Sequence, residues 1–99
     1  MASGDYVLGI DYGAKRIGLA IAHRVARLPR PLQTLEATSS VLQQIEAIIE
    51  REQIGLVVVG LPRSMDGSIH AQAARVEQFI TLLSDVISVP VRQVDETLT

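Results

Sequence analysis

Apolar and polar positions change period four times along this 99-residue chain. Tyr6-Val-Leu-Gly-Ile-Asp11 is a short apolar run rich in β-branched and aromatic residues, and it ends at Tyr12-Gly13. It predicts a buried strand with Asp11 at its C-terminal end, followed by a tight turn that uses Gly13. Arg16 to Ala22 alternates strictly: Ile17, Leu19 and Ile21 share one face, and Gly18, Ala20 and Ala22 the other. The second face is nearly bare, so another element can approach the sheet closely there. A third strand is expected within Arg27–Leu35, confined to a sheet edge by Pro29 and Pro31.

From Val41 the spacing becomes helical. Val41, Leu42, Ile45, Ile48 and Ile49 form one apolar stripe, with Ser40 and Gln43 as a capping box and an end near Gln53. Ile54-Gly-Leu-Val-Val-Val59 is continuously apolar, the pattern of a strand buried on both faces, and Gly60-Leu-Pro62 closes it. A second helix is predicted from about Ser68 to Ser84, with Ala73, Val76, Ile80 and Leu83 inward. Val89–Val94 reads as a last strand, with Pro90 near its beginning or on an edge. The order β-β-β-α-β-α-β predicts an α/β fold with a mixed five-stranded sheet. Helical crossovers make the first, fourth and fifth strands parallel, and the hairpin lies antiparallel beside them.

Length bounds this to one domain, residues 1–99, and the 47% apolar content excludes a disordered chain. With no cysteine, a disulfide framework and a thiolate zinc site are both excluded, and a reducing, cytoplasmic setting fits. No apolar run approaches the roughly 18 residues of a membrane span, and Met1–Asp5 lacks the features of a secretory signal, so no membrane partner is expected. The net charge of −2 hides an asymmetry: Tyr12–Leu35 holds Lys15, Arg16, Arg24, Arg27 and Arg30 and no acid. Such a block is either a footprint for a polyanion or a solvated strand surface. The absence of Trp, with two Tyr and one Phe, argues against an aromatic platform for single strands.

Open α/β sheets place their sites at the C-terminal strand ends. Three segments meet there: Asp11–Gly13, Gly60–Ser68 and Asp95–Thr97. Carboxylates from neighbouring strand ends can hold one or two Mg²⁺ or Mn²⁺ ions, which prefer oxygen ligands. A pair of such ions about 3.5–4 Å apart activates a water and stabilises the leaving oxygen in phosphodiester hydrolysis. A lone strand-end carboxylate can instead simply cap its turn. In Gly60–Ser68 the backbone amides leading into the second helix could receive a phosphate. The same loop also reads as an ordinary connection with Asp66 or Ser68 as the helix N-cap. His23 and His70 stand alone, without metal-ligand spacing.

Three motifs, Gly9–Ala20 (GIDYGAKRIGLA), Val57–Ser68 (VVVGLPRSMDGS) and Val94–Thr99 (VDETLT), together resemble the YqgF (RuvX) family. The match runs in order over essentially the whole chain. The resemblance implies a Holliday-junction-resolvase-like nuclease of ribonuclease H fold, associated with 5′ maturation of pre-16S ribosomal RNA. By position, it implies that Asp11 is the metal-binding acid of the first strand, with Glu96 and Asp95 as the acids of the fifth. Lys15 and Arg16 become the adjacent basic pair, and Leu61–Ser68, with Arg63, Ser64, Asp66 and Ser68, the loop lining the substrate groove. The implied cofactor is Mg²⁺ or Mn²⁺, and the implied substrate is structured RNA or branched DNA.

Thr97 stands where the family usually has Arg, which removes one expected phosphate contact. Arg63 and Ser64 replace the commoner Leu and Asn, adding positive charge. Family members continue through a further helix with a last catalytic Asp. The chain is therefore expected to be a C-terminally truncated fragment with an incomplete metal site, weakly active or inactive, and prone to self-association through an uncovered sheet face. Two other readings share some of these features. A nucleotide-binding ATPase lobe of the actin or sugar-kinase type has the same strand-hairpin start, but needs a second lobe that 99 residues cannot supply. A non-catalytic RNA-binding module needs the basic hairpin but not Asp11.

Overall fold

The computed structural model describes residues 4–61 and 69–95. Seven elements follow one another: β1 (Tyr6–Tyr12), β2 (Arg16–His23), β3 (Arg30–Glu36), α1 (Val41–Arg51), β4 (Ile54–Leu61), α2 (Ile69–Val86) and β5 (Val91–Asp95). They build one mixed sheet of order β3-β2-β1-β4-β5. β2 is antiparallel to β1 and β3, whereas β4 is parallel to both β1 and β5. This is the expected architecture, with β3 at one edge.

The connections decide which side of the sheet is covered. From β3 the chain passes through α1 and over β2 and β1 to reach β4; from β4 it passes through α2 to β5. Both crossovers move the same way across the sheet, and right-handedness then puts both helices on one face. The buried residues follow. Leu8 and Ile10 of β1, Ile17, Leu19 and Ile21 of β2, and Val57 and Val59 of β4 form one cluster with Val41, Ile45, Ile48 and Ile49 of α1 and Val76, Phe79 and Leu83 of α2. The intervening residues Gly9, Gly18, Ala20 and Val58 point to the other face, which no helix covers among the described residues.

Several details depart from the sequence pattern. Ser40 is the N-cap of α1, but the capping box with Gln43 does not form. The Ser40 hydroxyl instead accepts from Gln44 Nε2 at 3.0 Å and shares a hydrogen bond with Thr38 Oγ1 at 3.1 Å, so side chains satisfy it in place of the helix amides. The helix stops at Arg51, two residues earlier than expected. Glu52 caps it with its N–H on the Ile48 carbonyl, and Gln53 takes a left-handed φ of 58° that turns the chain into β4. β4 is less symmetric than its apolar run suggested: Val57 and Val59 are fully buried, while Leu56 and Val58 are half-buried because, among the described residues, only one face carries helices. Ile80 packs against the core only partly, and Phe79 beside it is buried instead. Pro90 precedes β5 and serves it through its carbonyl, which accepts the Val57 N–H at 2.9 Å.

Candidate active site

Strand register places Asp11 in the middle of a row that crosses all five strands. Its neighbour on β2 is Gly18 and on β4 is Gly60. Beyond these stand Thr34 on β3 and Val94 on β5. Asp11 belongs to the helix-free side, since Ile10 before it is buried and Asp11 itself is exposed. Its carboxylate is thus flanked by two residues without side chains. Around it lies a shallow trough of about 550 Å³, lined by Gly9, Asp11, Gly18, Ala20, Val58, Gly60 and Val94 and reaching Arg30 on β3. Asp11 makes no side-chain hydrogen bond or ion pair with any described residue.

The end of β1 is held in place from the opposite side. Tyr12, next to Asp11, turns toward the helices, and its ring sits 4.8 Å from that of Phe79, tilted by 40°. Such an aromatic pair fixes a strand end more firmly than buried area alone would. The turn after it is tight: a Cβ on Gly13 would lie 2.5 Å from the Arg16 carbonyl oxygen. Only glycine fits there without moving backbone.

Lys15 and Arg16 are exposed on this turn. With Ala14, Glu36, Ala37 and Thr38 they line a separate depression of about 400 Å³, and the Lys15 carbonyl accepts the Ala37 N–H at 3.0 Å. The basic pair therefore stands beside the Asp11 trough, and Glu36 is the register partner of Arg16 across β2 and β3. Asp95 ends β5 opposite Leu61, one step beyond the Asp11 row, so the described β5 residue in that row is Val94. Glu96, Arg63, Ser64, Asp66 and Ser68 lie outside the described residues. Among the described residues, no three acidic or histidine side chains gather as a metal site.

Gly18 and Gly60 are the site residues that the sequence pattern alone did not single out as partners of Asp11. Counting the β1–β2 ladder back from the Gly13 turn would have found Gly18. Gly60 needed the parallel register with β4, for which no short turn supplies a reference.

Residues 5–99 match the family model described as RuvX: Holliday junction resolvase. A relative from Trichormus variabilis, named "Putative pre-16S rRNA nuclease", is 43% identical over 94 residues, covering 93% of this chain and 62% of that protein. The chain thus spans less than two thirds of that relative's length. Among solved structures, Thermus thermophilus RuvC in complex with a Holliday junction substrate superposes with a TM-score of 0.64 at 16% identity, over 91% of this chain and 65% of that one. Fowlpox virus resolvase, solved with substrate Holliday junction DNA, gives 0.53 at 12% identity, over 95% and 62%. These two likenesses establish the fold, an α/β sheet of the ribonuclease H-like type. On the match of its sequence to the family model from Asp5 onward, the chain belongs to the RuvX family of Holliday junction resolvases.

Proposed function

We propose that this chain carries the core of a divalent-metal-dependent endonuclease that hydrolyses phosphodiester bonds in structured RNA, as in 5′ processing of pre-16S ribosomal RNA, or in branched DNA. The observation that carries this reading is the placement of Asp11: an exposed carboxylate without a described partner, set between two glycines in an open trough. The site fits a hard cation. Mg²⁺ and Mn²⁺ take oxygen ligands, and Mg²⁺ keeps several of its waters, binding through one or two carboxylates; this needs free lone pairs and open space beside them. Asp11, with Glu96 and Asp95 from the end of β5, would hold the ion. When bound, the ion supplies an activated water and stabilises charge on the phosphodiester.

The chain's own residues position the substrate. Gly18 and Gly60 leave room for a phosphate to approach Asp11 closely. Lys15 and Arg16 would grip the backbone beside the trough, and by the family resemblance Arg63, Ser64, Asp66 and Ser68 would add further substrate contacts. Phosphate contacts of this kind set register without reading bases, so RNA and branched DNA can be gripped alike. No described helix is long and apolar enough to cross a membrane. We assign the activity to the cytoplasm, where its nucleic-acid substrates lie.

The deciding experiment compares the chain with its Asp11→Asn variant on a pre-16S 5′ leader RNA and on a four-way DNA junction, with and without Mg²⁺. Cleavage by the parent should need Mg²⁺ and fall by about 100-fold or more in the variant, with nucleic-acid affinity retained. Equal cleavage by both proteins overturns the reading, as does a parent chain that binds neither Mn²⁺ nor either nucleic acid. The helix-free face, which also carries Asp11, should drive self-association in competition with nucleic acid. Sedimentation at rising concentration should show dimers that Val58→Glu abolishes, and a monomer at every concentration would rule this out.

A further inference from the structure

The loop between β2 and β3 lies at the rim of the sheet opposite Asp11, because β2 runs antiparallel to β1 and ends where β1 begins, at the pair Tyr6 and His23. It is both basic and apolar at its surface. Arg24, Arg27 and Arg30 are all exposed, and between them Val25 and Leu28 are 83% and 77% exposed. The ion pair found among the described residues joins Arg51 to Glu52, so none of these three arginines has a described carboxylate partner.

The loop is also held in one shape. The His23 imidazole Nδ1 accepts the backbone N–H groups of Val25 at 3.1 Å and Ala26 at 3.3 Å, and the His23 carbonyl accepts the Arg27 N–H at 2.9 Å. Arg27 then adopts a left-handed φ of 57°. A residue with a Cβ is disfavoured there, and glycine would remove that strain. Exposed apolar side chains interleaved with unpaired cations make this a surface suited to contact.

We propose that this loop is a second phosphate-backbone contact, gripping a flank of the nucleic acid at the rim of the sheet opposite Asp11. The inference rests on the nuclease reading and extends its interface to residues outside the proposed site. Three features favour nucleic acid. The cations are arginines, whose planar forks match phosphate bidentately. Arg30 lines the same trough as Asp11, so the two rims belong to one continuous surface. Val25 and Leu28 can pack on sugar edges or wedge against a base step, as apolar side chains do in architectural proteins.

The strand sets the span. Five residues separate Gly18, beside Asp11, from His23, which is about 17 Å at roughly 3.3 Å per residue. A duplex advances about 3.4 Å per base pair, so the loop meets the flank about five base pairs from the Asp11 site.

The test measures binding in the Asp11→Asn background, to prevent cleavage, with DNA junctions and RNA hairpins whose arms extend 4 or 12 base pairs. With the natural loop, the long-armed ligand should bind about tenfold more tightly than the short. Replacing Arg24, Arg27 and Arg30 together with Gln should abolish that preference and lower the slope of log affinity against log salt by about two to three. Replacing the same three with Lys should restore most of the slope. An unchanged slope and arm preference in the Gln variant overturns the inference, while leaving the nuclease reading intact. If the protein with its natural loop binds neither RNA nor DNA, the nuclease reading itself fails. Binding to phosphatidylserine vesicles that is lost in the Gln variant, with nucleic-acid binding unaltered, would assign the loop to a membrane surface and also overturn the proposal.

Discussion

Gly18 stands directly opposite Asp11 in the β1–β2 ladder, and a Cβ added to it would lie 3.8 Å from the Asp11 Cβ. That is ordinary van der Waals contact, so the position tolerates a methyl group, and a longer side chain would extend into the open trough beside the carboxylate. Gly18→Ala should stabilise the fold by roughly 0.5 kcal/mol, since glycine in a strand interior is costly. Gly18→Leu should fold equally well yet block the trough. Thermal melts together with cleavage or metal titration check both, and a fully active Gly18→Leu protein would show that the reacting phosphate does not approach Asp11 from this side.

The turn at Gly13 makes the opposite case. A Cβ there would meet the Arg16 carbonyl oxygen at 2.5 Å, and the obstacle is backbone. Gly13→Ala should cost about 1–3 kcal/mol. It should also weaken any activity by displacing the end of β1. Urea denaturation measures the first effect; an unchanged midpoint would mean that the turn has slack this structure does not show.

Phe79 anchors the site from beneath. It is 6% exposed and touches Tyr12, the neighbour of Asp11. Phe79→Ala should cost about 3–5 kcal/mol, a large part of the roughly 5–15 kcal/mol expected for a small domain. Phe79→Leu keeps most of the volume and should cost less than about 1.5 kcal/mol. Calorimetry on the pair, read against Asp11-dependent chemistry in the Leu variant, separates packing from positioning.

Arg27 offers a trade between stability and contact. Arg27→Gly should raise stability by about 0.5–1 kcal/mol, the strain removed less the entropy glycine adds to the unfolded chain. It should also lower the salt slope of nucleic-acid binding by about one. A variant both less stable and equally salt-dependent would contradict both parts. His23→Asn keeps an acceptor near the Val25 and Ala26 amides, whereas His23→Ala leaves them to water. The Ala change should therefore loosen the loop more, visible as faster amide exchange at those two residues.

Most of the architecture could be read along the chain because its patterns are unmixed. Ile17, Leu19 and Ile21 alternate with glycine and alanine, and Val41, Ile45, Ile48 and Ile49 keep helical spacing, so strand and helix are told apart without tertiary information. Register was harder. It depends on irregularities between Tyr6 and Val7 and between Leu19 and Ala20, which no alternation of residues announces. For that reason Asp11 and the segment that begins at Gly60 could be put at one sheet edge, while the direct pairing of Asp11 with Gly60, and of Gly60 with Val94, could not be named. The cap of α1 failed as an expectation because Thr38 and Gln44 compete for the Ser40 hydroxyl, a contest between side chains that a motif of spacing does not encode.

Since both crossovers turn the same way, adjacent residues within each central strand answer to different demands. Leu8, Ile10, Val57 and Val59 are constrained by packing, while Val7, Gly9 and Val58 answer to whatever rests on the open side. A library randomising only the latter set could be screened for altered ligand preference with little expected loss of folded protein.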